Sequence, residues 1–337
     1  MKALTGALGP LAGVLACGLL LACSKKKEDA PAAIPTPSAV GSVPTPPSAT
    51  PVVLPAPVAS GLPDPQAVSA VVNPNRAQAY AGPVGTVRGR VVTKGDQPPP
   101  QPAVLAKIPA SGCSAARDGY GKLFREGPDH ALADVLVAVT GYAGYVPERT
   151  STVRVTAKDC FFGTRTLALT YGQRIEVASG DALTYIPELL GEHGQPQLVA
   201  TPGGDAVSPV YPTKAGRFVL IDNLRLFMSA EVIVLKYATH AVTGLDGRFE
   251  IPGVPVGSVS VNALLPATGV GAQRQVKVEA DKPTDEIVFE LAFDAAEFEK
   301  KRAASAADAG APAPSVSVSA APRGSARAPS AAPKSSH

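Results

Sequence analysis

The chain has 337 residues, with 35 prolines, 32 glycines, no tryptophan and only 5% aromatic residues. Its 31 basic and 28 acidic residues leave a net charge of +3, which excludes a nucleic-acid binder working through bulk positive charge. Proline at about twice its average usage, gathered into separate stretches, excludes one domain filling the whole length.

Residues 1–22 predict a bacterial signal segment. Lys2 gives it a positive start, and Leu11 to Ala22 form an apolar run. That run is too short to cross a bilayer, which needs about 20 apolar residues. It ends in Leu20-Leu21-Ala22-Cys23, and the polar Ser24-Lys25-Lys26-Lys27 follows at once. This resembles the lipobox of bacterial lipoprotein precursors. The resemblance implies that Cys23 is diacylated on sulfur, becomes the N-terminus after cleavage and is then N-acylated. Two or three acyl chains anchor stably where one does not, each buried methylene contributing about 0.8 kcal/mol. An ordinary secretory signal with a chance cysteine is the alternative. Val14-Leu15-Ala16-Cys17 is a second match, but it would leave a shorter apolar core. Inner-membrane retention signals usually carry aspartate where Ser24 stands, so the resemblance points to the outer membrane.

From residue 23 to 82 the composition is Pro, Ala, Ser, Val and Thr, with Tyr80 as its one aromatic residue. Repeated X-Pro bonds favour polyproline II and offer no packing face, so the segment is expected to be a disordered tether. Fully extended it would reach roughly 180 Å. The tail from 301 to 337 has the same character and carries Lys301, Arg302, Arg323, Arg327 and Lys334. Between these flanks, short β-branched or alternating runs recur between turn residues. They are Gly85–Val92, Ala133–Val139, Thr152–Val155, Arg174–Val177, Gly216–Leu220, Glu231–Leu235, Arg248–Ile251, Ser258–Val261, Gln275–Val278 and Glu286–Leu291. Many short strands of this kind predict an all-β Greek-key sandwich. One short charged helix is expected over Asp294–Arg302.

The stretch Thr243-Gly244-Leu245-Asp246-Gly247-Arg248-Phe249, followed by Val254-Pro255-Val256-Gly257, resembles the carboxypeptidase regulatory-like (prealbumin-like) β-sandwich. Asp246-Gly247 supplies the positive φ of a tight hairpin, and Phe249 turns inward. Such modules open on G-x-V-x-G-x-V, matched by Gly85-Thr86-Val87-Arg88-Gly89-Arg90-Val91. The resemblance therefore implies that 83–149 pairs with 238–300 across an insertion at 150–237. That insertion resembles a cupredoxin. Blue-copper sites need two imidazoles, a thiolate and a weak axial thioether. In Asp222-Asn223-Leu224-Arg225-Leu226-Phe227-Met228, Asp222 stands at the cysteine position, Arg225 at the histidine position, and Met228 is retained. In Ser179-Gly180-Asp181-Ala182-Leu183-Thr184-Tyr185, Tyr185 stands at the other histidine position. The resemblance thus implies a copper site without its ligands, with Asp222 and Arg225 as a candidate ion pair across it.

Cys113 and Cys160 are a possible disulfide in an oxidising compartment; two buried thiols or a redox pair are the alternatives. A bridge closing a loop of this length would contribute about 4 kcal/mol. His130, His193, His240 and His337 show no helical zinc spacing, and no Cys-x-x-Cys, Gly-x-Ser-x-Gly or Walker pattern occurs. Glu188 and Glu192 are expected in a loop. Tyr142, Tyr145, Tyr185 and Tyr211 are expected to pack in strands, with a glycan or peptide groove as the alternative. The expected function is a non-enzymatic envelope lipoprotein: a membrane-anchored binding module with no cofactor, no metal and no nucleic-acid partner, taking an envelope protein or a glycan. A copper-binding or electron-transfer module with non-standard ligands, including Met228, and a glycan-binding module are the alternatives.

Overall fold

The computed structural model describes residues 63–192, 198–203 and 207–309, all within one unit spanning 56–337. Cys23, the signal segment, most of the tether, His193, His337 and the tail beyond 309 lie outside the described residues. The elements run α1 (Pro65–Val72), β1 (Val84–Gly95), α2 (Pro102–Leu105), α3 (Ser114–Tyr120), β2 (Leu136–Thr140), β3 (Thr152–Ala157), β4 (Thr166–Thr170), β5 (Arg174–Ser179), β6 (Pro187–Leu190) and β7 (Ser208–Val210). They continue through β8 (Gly216–Asp222), β9 (Arg225–Leu235), β10 (His240–Val242), β11 (Arg248–Pro255), β12 (Gly257–Leu265), β13 (Val270–Val278), β14 (Ile287–Phe293) and α4 (Ala295–Ala309).

The fold is all-β and consists of two sandwiches. The first stacks a sheet ordered β11-β1-β14 on one ordered β10-β2-β12-β13. Its strands come from both ends of the described chain. β1 runs antiparallel to β11, placing Val87 opposite Ile251, and parallel to β14, placing Val91 opposite Phe289. Alternation along β1 sends Val87 and Val91 into a core with Phe249, Ile251, Phe289 and Leu291. Each such side chain contributes about 1.5–3 kcal/mol on burial. Gly85 and Gly89 occupy inward positions of the same strand. A Cβ at Gly89 would lie 2.1 Å from the Ile287 carbonyl oxygen and 2.6 Å from the Phe249 ring, so only glycine lets these strands close.

The second sandwich lies between the halves of the first in sequence. Its sheets are ordered β3-β5-β7 and β4-β9-β8-β6, with β3 parallel to β5 and β4 parallel to β9. Leu169, Ile175, Val177, Leu220, Met228 and Val232 fill its core. That core also recruits chain from outside 150–237. α3 and the residues before it lend Ile108, Cys113, Ala116 and Tyr120, and α1 covers it with Val68, Val71 and Val72.

Several expectations need correcting. The expected tether, 23–82, is ordered at its C-terminal end. Asp64 caps α1 by accepting from Gln66 N–H at 3.0 Å, Pro65 suits the first turn, and the valines gain a core to pack on. Tyr80 N–H also donates to the Tyr145 carbonyl at 2.7 Å. The helix expected over Asp294–Arg302 continues to Ala309 as α4, because an alanine-rich stretch of good helix formers follows the charged turn. The Asp246-Gly247 turn is no hairpin within a sheet. Gly247 has φ +70, as expected, but β10 and β11 belong to opposite sheets, so the turn carries the chain across the sandwich. The Pro255–Gly257 corner does the same between β11 and β12.

Candidate functional site

Three of the four positions that the resemblance assigns to a copper site, Tyr185, Asp222 and Arg225, meet at one end of the second sandwich. β8 ends in Asp222 and β9 begins at Arg225, so the tight connection sets the two side chains side by side. The Asp222 carboxylate is fully buried. One oxygen accepts from Ile186 N–H at 2.6 Å, and the other from Arg225 Nη1 at 3.0 Å. The same Nη1 donates to the Thr184 carbonyl at 3.0 Å. The Arg225 guanidinium lies 4.9 Å from the Tyr185 ring centre, a cation–π contact. The expected Asp222–Arg225 ion pair is therefore made, within a larger cluster. Met228 is fully buried in the sandwich core.

Tyr185 extends the network. Its hydroxyl donates to Asp181 Oδ2 at 2.9 Å. Burial, and then this bond, push its pKa far up, so it stays a neutral donor. Burial alone would raise the Asp181 carboxyl. Donation from Asp159 N–H, Leu183 N–H, Tyr185 and Ser179 outweighs it and holds the carboxyl below its ordinary value. Asp159 and Cys160 have φ +50 and +60, two consecutive left-handed residues that would cost about 1–2 kcal/mol each on their own. They are held by what surrounds them. Asp159 Oδ2 accepts from Ser114 and from Ala115 N–H at 2.7 Å, which holds that carboxyl low. Cys160 forms a disulfide with Cys113, with Cα atoms 5.1 Å apart. The bridge pins α3 to the second sandwich.

Copper, implied by the resemblance, does not fit these residues. The thiolate position is a carboxylate whose two oxygens are already engaged. One imidazole position is a guanidinium carrying positive charge, and the other a phenol that donates elsewhere. A buried thioether alone cannot hold a metal ion. Among the described residues, no group of three or more His, Cys, Asp or Glu side chains is arranged to hold a metal.

The remaining candidates are dispersed. Glu188 lies in β6 rather than in the expected loop and accepts from Asn223 Nδ2 at 2.7 Å, whereas Glu192, just beyond that strand, accepts from Thr213 N–H at 3.0 Å. His130 lies beside Glu126, Nδ1 to Oε1 2.8 Å. Tyr142 bonds Thr239 at 2.9 Å and Tyr185 is fully buried, so these two tyrosines do not share an open groove.

Sequence reading missed the seam between the sandwiches. The Asp134 carboxylate, with its residue at φ +64, accepts from Arg125 Nε at 2.7 Å and Nη2 at 2.6 Å, both within the first sandwich's loops. It also accepts from Thr164 Oγ1 and Arg165 N–H, each at 2.8 Å, at the entry to β4. Arg165 Nη1 reaches back to the Lys122 and Leu123 carbonyls at 2.9 and 2.8 Å. No local pattern announces this knot, since its members are separated by up to 43 residues. On one side it borders a crevice of about 490 Å³ between β4 and β10. There His240 Nε2 lies 3.2 Å from Thr170 Oγ1, which donates to Glu148 Oε2 at 2.7 Å. Burial pushes the His240 pKa down, against the pull of Glu148.

No protein-family model matches the chain, and no curated protein matches it. Among solved structures it is similar to an amicyanin variant in its reduced state, at 15% identity over 29% of this chain and 99% of that one, with a TM-score of 0.23. It is also similar to amicyanin from Paracoccus versutus, at 17% identity over 27% and 85% with a TM-score of 0.22. A copper-containing nitrite reductase from Thermus scotoductus SA-01 gives 18% identity over 29% and 25%, with a TM-score of 0.22. Strand order and pairing, not this likeness, define the second sandwich.

Proposed function

We propose that the chain is a non-enzymatic lipoprotein of the bacterial envelope, anchored through Cys23, which presents a double β-sandwich binding module on a Pro-rich tether. In this reading the first sandwich is of the carboxypeptidase regulatory-like kind. The second is a cupredoxin-type sandwich whose copper site has become a structural polar cluster. The anchor rests on the Leu20-Leu21-Ala22-Cys23 pattern and the basic residues after it. The single observation that carries the rest is the Asp222–Arg225–Tyr185 cluster. Asp222 is fully buried, its oxygens are both bonded, and the cation beside it is a side chain of the same protein. Such a cluster offers no vacant donor set to a metal and no unpaired nucleophile to a substrate. It does fix the β8–β9 turn rigidly.

The test titrates the purified protein with Cu(I) and Cu(II) and counts bound metal by native mass spectrometry, beside hydrolase and electron-transfer assays. The expected result is no tight binding and no turnover. One equivalent bound tightly, or measurable turnover, would refute the reading. Radiolabelled palmitate incorporation that disappears in Cys23→Ala tests the anchor.

A further inference from the structure

Among the described residues, the crevice at the seam has two features with capacity to spare. The first is main-chain. Among the described residues, β4 pairs with β9 alone and β10 with β2 alone. In the parallel β4–β9 ladder the odd-numbered residues of β4 face β9, since Arg165 O accepts from Glu231 N–H and Tyr171 N–H donates to Leu235 O. Thr166, Ala168 and Thr170 therefore direct their peptide groups outward. Thr164 Oγ1 accepts from the N–H of Thr166 and lies 2.8 Å from its carbonyl oxygen, and the Gln173 side chain and main chain bond the N–H and C=O of Thr170. Among the described residues, neither peptide group of Ala168 has a partner. On β10, bonds at Thr239 and Thr243 set the antiparallel phase, so Val242 likewise turns its N–H and C=O away from β2. Ala168 and Val242 both line the crevice. Unpaired strand edges of this kind are templates for an added extended segment.

The second feature is charge. Glu148 lines the same crevice and is half-buried. Its oxygens accept from Arg149 N–H at 2.9 Å and Thr170 Oγ1 at 2.7 Å, but among the described residues it has no ion-pair partner. A carboxylate so placed favours a cationic side chain on whatever enters.

We propose that the crevice docks an extended basic segment, and that its occupant is this chain's own C-terminal stretch Ser315-Val316-Ser317-Val318-Ser319 leading to Arg323. This deepens the binding-module reading and rests on it. The segment alternates serine and valine with period two, the pattern of a strand with one apolar face. Residues 310–337 carry Arg323, Arg327 and Lys334 and no acidic residue, which complements Glu148. Five residues, Gly310 to Pro314, lie between the end of α4 and Ser315 and span about 20 Å when extended. Main-chain pairing at Ala168 or Val242 then supplies affinity, and the arginine at Glu148 sets register.

Hydrogen exchange on the full chain tests this, with parent, Val316→Pro/Val318→Pro and Glu148→Gln compared at the Ala168 and Val242 amides. The proline variant removes donors in the tail without touching the sandwiches. At one or both amides it is expected to exchange faster by about tenfold, the factor for one net hydrogen bond, and Glu148→Gln shifts the same way. A synthetic peptide of residues 313–327 added to the proline variant restores protection, and the same peptide with both arginines replaced by glutamine does not. Unchanged exchange at both amides in the proline variant overturns the proposal, as does equal restoration by the arginine-free peptide. Either result leaves the wider module reading intact, since that reading fails by metal uptake or turnover, which exchange at these two amides does not register.

Discussion

Asp134→Asn is the substitution that most directly tests how the two sandwiches are joined. The Asp134 side chain is 5% exposed and that of Arg125 is 12% exposed, so the pair is largely out of water. The carboxylate takes a two-point contact from Arg125 and two further bonds from Thr164 and Arg165 across the seam. Asparagine keeps the volume, keeps one acceptor and tolerates the φ of +64, so backbone strain does not enter. What is lost is the charge facing a buried guanidinium, and the new amide N–H₂ competes with the arginine donors. Hydrogen bonds to charged groups contribute about 1.5–3 kcal/mol each, so a loss of about 3 kcal/mol is expected. Asp134→Ala also strands the guanidinium and removes every acceptor, for about 3–5 kcal/mol. With a urea m-value of about 2–3 kcal/mol/M, Asp134→Asn lowers the midpoint by about 1 M. Because half of the bonds cross the seam, the loss also uncouples the sandwiches. Segment-resolved hydrogen exchange along the urea titration then finds separate midpoints for strands of the first and second sandwich, where the parent has one. Removing the cation as well, Arg125→Met with Asp134→Asn, recovers part of the stability, since asparagine keeps an acceptor for Thr164 and Arg165 N–H and the unpaired charge is gone. A loss under about 1 kcal/mol for Asp134→Ala would refute this account of the seam, as would coincident midpoints in Asp134→Asn.

Cys113→Ser with Cys160→Ser, or reduction of the parent, is expected to cost about 4 kcal/mol and to open α3 before the sheets; urea melts with and without reductant measure it. His240 has its pKa lowered by burial, so the unfolded chain binds the proton more readily than the folded one. Stability is therefore fully present above the unfolded value near 6.5 and falls as pH drops below it toward the folded pKa; His240→Gln flattens that slope in melts between pH 5 and 8. The triple variant Tyr185→His, Asp222→Cys, Arg225→His places two imidazoles and a thiolate at the cluster. It is expected to take up one copper with an intense visible absorption, and a folded but colourless, metal-free triple variant would refute the correspondence of positions.

Much of the strand pattern is legible along the chain because alternation with period two is local. Gly85–Val92, Arg248–Ile251 and Glu286–Leu291 each carry enough β-branched or alternating residues to mark a strand without reference to anything else. β4, β6, β7 and β10 escape that reading. They are three to five residues long, and Thr166-Leu167-Ala168-Leu169-Thr170 has no helix or strand period that outweighs the other. α1 escapes for a different reason. Pro65-Gln66-Ala67-Val68 is too short to be stable alone, and only the face of the second sandwich gives its valines somewhere to go.

At the candidate site, the sequence named Tyr185, Asp222, Arg225 and Met228 through its resemblance to a cupredoxin, and offered Asp222–Arg225 as a pair across the copper site which that resemblance implies. It offered Cys113 and Cys160 as one of several possibilities, since composition counts sulfurs but does not measure their separation. Asp181 and Asp159 join the cluster only because the fold brings together β3, β5 and the turns after them, and the Cys113–Cys160 bridge requires α3 to lie across the turn after β3. The Asp134 knot and the crevice beside it depend still more on the tertiary structure. Their residues are ordinary in sequence, and they acquire meaning because two sandwiches, one inserted in the other, bring two strand edges and a buried carboxylate to the same seam. Periodicity and turn chemistry act over a few residues and are written along the chain; burial, pairing and the loss of solvent from a charge exist only where distant segments meet.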